Sequence, residues 1–116
     1  MPEDHRITRE DVAHVADPEV TELAYDKTPL RPLLSLTTVV ENLSANLGTI
    51  TCPALVIVSE QDHVVPPPNS DHLAAMVAGP VQRETLERSY HVATLDYDKD
   101  RIAELATEFV RKVTAG

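Results

Sequence analysis

Pro53-Ala-Leu-Val-Ile-Val-Ser-Glu-Gln-Asp-His-Val-Val-Pro66 is the stretch on which the fold class turns. Its first part, Ala54 to Ser59, is a short β-branched apolar run with no polar alternation, which fits an interior strand of a parallel sheet, covered on both faces. Asp62 stands three residues past that run, in a polar loop that extends to Pro68. Downstream, Asn69 is placed to cap a short helix carrying Leu73, Met76 and Val77, which Gly79-Pro80 would end. Residues 81 to 87 then read as a second strand, polar enough to lie near a sheet edge, and His91 follows it by four residues.

Helices flank these units. Upstream, Leu33, Leu36, Val40, Leu43 and Leu47 step by three or four, the repeat of a one-faced helix, with Gly48 at the position of a C-terminal cap. Downstream, a helix starting near Asp96 or Asp98 aligns Ile102, Leu105, Ala106, Phe109, Val110 and Val113, and Arg111 and Lys112 complement its C-terminal dipole. Residues 1 to 30 are acid-rich and broken by Pro2, Pro18 and Pro29, with a short helical stretch expected from Thr8 to Val15. The order helix, strand, helix, strand, helix over 33–116 makes an α/β unit with parallel strands joined by a crossover. Two such strands expose an open edge and too little apolar cover to stand alone, so the sheet is incomplete and wants further strands.

Composition narrows the partners. The 116 residues, 42% apolar and 25% charged, suit one small globular domain. No apolar run approaches the roughly 20 residues of a membrane span, and the N-terminus lacks signal-peptide order, so a cytoplasmic location is expected. A net charge of −9 with no offsetting basic stripe repels nucleic acid and anionic lipid. Cys52 is the single cysteine, which leaves no intrachain disulfide. His5, His14, His63, His72 and His91 show no metal-ligand spacing, and no metal or cofactor is implied.

Functional groups in open α/β sheets collect beyond the carboxyl ends of the strands, where Asp62 and His91 both fall. A carboxylate bound to one imidazole nitrogen fixes the tautomer and leaves the other nitrogen to take a proton from a serine hydroxyl. The serine itself has no place here. Gly48, Gly79 and Gly116 are the three glycines and lie far apart, so no G-x-S-x-G elbow, Gly-rich oxyanion loop, P-loop or dinucleotide fingerprint can be written.

The segment Pro53 to Pro66 resembles the acid-bearing segment of α/β-hydrolases. Ser89-Tyr-His-Val-Ala-Thr-Leu-Asp96 resembles the histidine segment of bacterial monoacylglycerol lipases and their carboxylesterase relatives. Glu22-Leu-Ala-Tyr-Asp-Lys-Thr-Pro29 is similar to the end of the cap insertion in those lipases, so the resemblance spans roughly residues 17 to 114. It implies that Asp62 is the acid and His91 the general base of a Ser/His/Asp triad acting on a small ester. It also implies that the serine and both oxyanion donors lie upstream of these residues. Residues 1–32 would then be a cap-like remnant and 33–116 the C-terminal half of the hydrolase fold.

The neighbouring residues read more plainly. His63 is expected as a solvated loop side chain, and His72 as a helix-face residue. Ser89, two positions from His91 in one loop, is poorly placed to attack and suits a local hydrogen bond. Asp96 is expected to cap the last helix, and Cys52 to fill a small apolar space. Three functional readings stay open: the acid and base portion of an ester hydrolase, a noncatalytic interaction module pairing its open edge with itself or another chain, and one half of a split enzyme completed by an N-terminal half.

Overall fold

A computed structural model describes residues 13–25 and 27–115. Helix α1 (Leu30–Ser44) leads through a 3-10 turn at Leu47–Thr49 to strand β1 (Ala54–Ser59), helix α2 (Pro68–Met76), strand β2 (Val81–Leu86), a second 3-10 turn at Ala93–Leu95 and helix α3 (Lys99–Thr114). The two strands pair in parallel from Ala54 opposite Val81 to Ser59 opposite Leu86. Bonds from Ala54 N–H to Pro80 and from Glu60 N–H to Leu86, both 2.9 Å, extend the ladder at each end. The expected order and crossover are therefore present, with α2 as the connection.

Among the described residues β1 has a neighbour on one side only, and Ala54 to Val58 remain half-buried. This is the condition of an interior strand that lacks its second neighbour. Among the described apolar residues only Val15, Leu47 and Leu86 are buried, and only Leu86 completely. α1 buries none of its residues, and Leu30, Leu34, Leu36, Val39 and Val40 on it are exposed. The Cα radius of gyration is 17.0 Å, against roughly 13 Å for a compact domain of about 100 residues. No helix among the described residues is long and apolar enough to cross a membrane.

Several local expectations are corrected. α1 begins three residues before Leu33 and ends at Ser44, and Gly48 lies inside the 3-10 turn without a positive φ. Bonds of the 3-10 kind, Asn46 N–H to Leu43 at 2.9 Å and Ile50 N–H to Leu47 at 3.1 Å, satisfy the trailing carbonyls, so no left-handed cap is required. α2 starts at Pro68, putting Asn69 within the first turn rather than at its cap. The expected helix from Thr8 to Val15 falls mostly outside the described residues, and Ala13 to Val15 are not helical. Cys52 is exposed rather than a buried filler.

Gly79 holds the start of both strands together. Its N–H and that of Ala78 donate to the Ile50 carbonyl at 3.0 and 2.9 Å. A Cβ at Gly79 would lie 2.5 Å from the Thr51 carbonyl oxygen and against that of Cys52, both backbone atoms. Only glycine fits that approach.

Candidate active site

The loops after β1 and β2 leave the same end of the sheet, since the strands run parallel and in register. Gln61 Nε2 donates to the Glu87 carbonyl at 2.7 Å, and the His63 ring meets Tyr90 edge-on at 4.9 Å between centroids. His63 is exposed, as expected of a loop side chain, and its edge-on contact with Tyr90 also joins the two loops. These ties bring Asp62 and His91 together: His91 Nδ1 lies 2.9 Å from Asp62 Oδ2.

The two oxygens of Asp62 have different partners. Oδ1 accepts the N–H groups of Val64 at 2.9 Å and Val65 at 2.8 Å, an Asx-type turn that points Oδ2 at the imidazole. The Asp62 side chain is 11% exposed and that of His91 36%. Burial works to raise the pKa of Asp62. The hydrogen bonds from His91, Val65 and Val64 and the His91 charge together outweigh it and hold the carboxyl below its ordinary range. With Nδ1 donating to a carboxylate, His91 has Nε2 left as an acceptor. His91 also joins Ile57, Val92, Ala93, Thr94 and Ile102 in lining an open cleft.

Other sequence candidates sit apart from this pair. Ser89 is fully buried, and its hydroxyl donates to Asp98 Oδ2 at 2.8 Å while accepting Asp98 N–H at 3.0 Å. His72, on α2, lies 3.4 Å from the Ser44 hydroxyl. Cys52 precedes β1, at the end of the sheet opposite Asp62 and about 20 Å away by strand length. Among the described residues no three of His, Cys, Asp and Glu are grouped so as to hold a metal ion.

Asp96 corrects its expected role. It makes no helix cap; its carboxylate is 2% exposed and accepts four backbone N–H groups, from Ala16, Asp17, Tyr90 and Tyr97. Burial again works to raise its pKa, and those four bonds together bring it below the ordinary value. Asp98 holds the N-cap position of α3 but spends its carboxylate on Ser89 and the Arg88 N–H. Sequence reasoning also missed the contact of His14 with His91, ring centroids 6.1 Å apart. For Asp96 the available signal was its place among acidic residues just before α3, which resembles ordinary capping.

Parallel strands joined by a helical crossover, with a carboxylate and an imidazole in contact beyond their carboxyl ends, define the C-terminal part of an α/β-hydrolase fold with an incomplete sheet. Residues 2–98 match the model of the serine aminopeptidase, S33, family, and the chain belongs to that family. The thermostable monoacylglycerol lipase of Bacillus sp. strain H-257 is 47% identical over 98 residues, which are 83% of this chain and 39% of that protein. A carboxylesterase of Bacillus subtilis strain 168 is 27% identical over 90 residues, 77% of this chain and 37% of the relative. Among solved structures, a chain from work on LipS and LipT, two metagenome-derived lipolytic enzymes, superposes with a TM-score of 0.81 at 40% identity. The match covers 86% of this chain and 41% of the other. The chain is thus a lipase- or esterase-like α/β-hydrolase portion that spans about two fifths of the proteins it matches.

Proposed function

We propose that this chain supplies the acid and the base of a Ser/His/Asp triad to a carboxylic ester hydrolase of the monoacylglycerol lipase and carboxylesterase kind. The observation that carries this reading is the 2.9 Å contact between Asp62 and His91 at the carboxyl ends of the paired strands. In the completed site Asp62 holds the Nδ1–H tautomer of His91 and stabilises the imidazolium. His91 Nε2 first takes the serine proton and then returns it to the leaving alcohol. The serine and the oxyanion donors come from polypeptide not represented by these residues. Residues 1–32 serve as the remainder of a cap and residues 33–116 as the catalytic C-terminal half.

The test is complementation. The purified chain is assayed on a p-nitrophenyl ester alone and after mixing with a polypeptide of the same family that carries a G-x-S-x-G elbow. The chain alone should be inert, and the mixture should hydrolyse the ester at a rate abolished by His91→Ala. Activity of the chain alone that depends on His91 would reveal a different nucleophile. A second reading, a noncatalytic module that pairs through its sheet edge, is favoured by the unpaired side of β1. It predicts a stable complex without hydrolysis.

A further inference from the structure

One short segment holds His91 from both chain neighbours. The N–H of Val92 donates to the His14 carbonyl at 2.8 Å. On the other side, Tyr90 N–H donates at 3.0 Å to Asp96 Oδ2, and the same oxygen accepts Ala16 N–H at 2.6 Å. Asp96 Oδ1 adds Asp17 N–H at 3.1 Å and Tyr97 N–H at 2.9 Å. Val15, between these anchor points, is buried. The His14 ring stands edge-on to that of His91, at 79° between planes, and is itself held by Glu22, whose Oε2 lies 2.9 Å from His14 Nδ1.

This arrangement exceeds what packing a loop requires. A partly exposed imidazole held by a single hydrogen bond keeps two ring orientations about its terminal torsion, which is broad and roughly two-fold. Only one of them presents Nδ1 to Asp62. A second ring set edge-on against the first disfavours the swing between them, and holding the N–H groups of Tyr90 and Val92, the residues on either side of His91, restrains where the ring starts. We propose that Ala13 to Asp17 are a positioning element for His91, latched by the buried Asp96 carboxylate and completed by the His14 ring, which keeps the imidazole donating Nδ1–H to Asp62. The inference rests on the Asp62–His91 pairing and not on ester hydrolysis, so it stands or falls separately from the complementation assay.

The test is made on the 15N-labelled full chain, by long-range imidazole correlations at about pH 8, where free histidine is neutral. His91 of the wild type should show a single Nδ1–H tautomer. His14→Ala should move it toward the mixture of a free imidazole, and His14→Phe, which keeps an aromatic ring at that position, should restore it. In Asp96→Asn one of the two oxygens becomes an NH2 donor, so the pair of amides it accepted, Ala16 and Tyr90 or Asp17 and Tyr97, should exchange at least about tenfold faster while those of β1 are unchanged. A single Nδ1–H tautomer in His14→Ala, or unchanged protection of all four of Ala16, Asp17, Tyr90 and Tyr97 in folded Asp96→Asn, overturns the proposal. If Asp96→Asn does not fold, the His14 pair alone decides.

Discussion

Asp62 and Asp96 are both held as carboxylates, for different ends. Asp62 divides its oxygens between two backbone N–H groups and an imidazole, whereas Asp96 gives both to the backbone. Each has a folded pKa below its unfolded one, so each contributes stability that is complete above the ordinary aspartate value of about 4 and is lost as pH falls through the depressed folded value. Urea midpoints of wild type and Asp96→Asn should therefore differ most near neutrality and converge as pH falls below the ordinary aspartate range. Asp96→Ala removes the acceptor from four N–H groups and should cost about 3 kcal/mol at neutral pH by urea denaturation, the scale of unsatisfied buried donors. In a complemented, active complex, Asp62→Asn should lower kcat on the order of 10⁴-fold with little change in KM, as expected when the carboxylate that sets a tautomer is lost.

At the scale of elements, the glycines offer a matched pair. Gly79→Ala drives a Cβ into the backbone of Thr51 and Cys52, and neither carbonyl can yield without moving the entry to β1. A loss of roughly 1 to 3 kcal/mol is expected. Gly48→Ala meets only the Met76 carbonyl at 3.9 Å, in a turn with negative φ. It should be neutral or stabilising by up to about 1 kcal/mol through the unfolded chain. Chemical denaturation of both variants checks the contrast, and equal effects would show that the approach at Gly79 does not restrain the sheet.

For the whole molecule, the leucines and valines of α1 lie exposed and, among the described residues, one side of β1 is open, an apolar surface of the kind that mediates association. The net charge of −9 opposes association but does not cover that surface. The isolated chain should bind a hydrophobic dye and self-associate with rising concentration in sedimentation velocity. The double variant Leu36→Glu, Val40→Lys should reduce both effects while leaving the Asp62–His91 contact intact, because α1 buries none of its residues. Complementation by a chain that supplies the missing strands should quench the dye in the same way.

The amino-acid pattern alone determined the elements and their order, because a strand covered on both faces and a one-faced helix each write a local period into the chain. Ala54–Ser59 was legible to the residue for that reason, and the loops beyond both strands followed from parallel topology. The helix ends were less legible: at Gly48 and Asn69 the backbone found partners in 3-10 turns and at Pro68 without using the expected caps. The contact between Asp62 and His91 could be expected from sequence, but its geometry came from ties across the two loops. The role of Asp96 was decided only by the tertiary structure. Its four donors lie as far as 80 positions away in sequence, and local spacing carries no record of a carboxylate whose partners are backbone groups brought together by the fold.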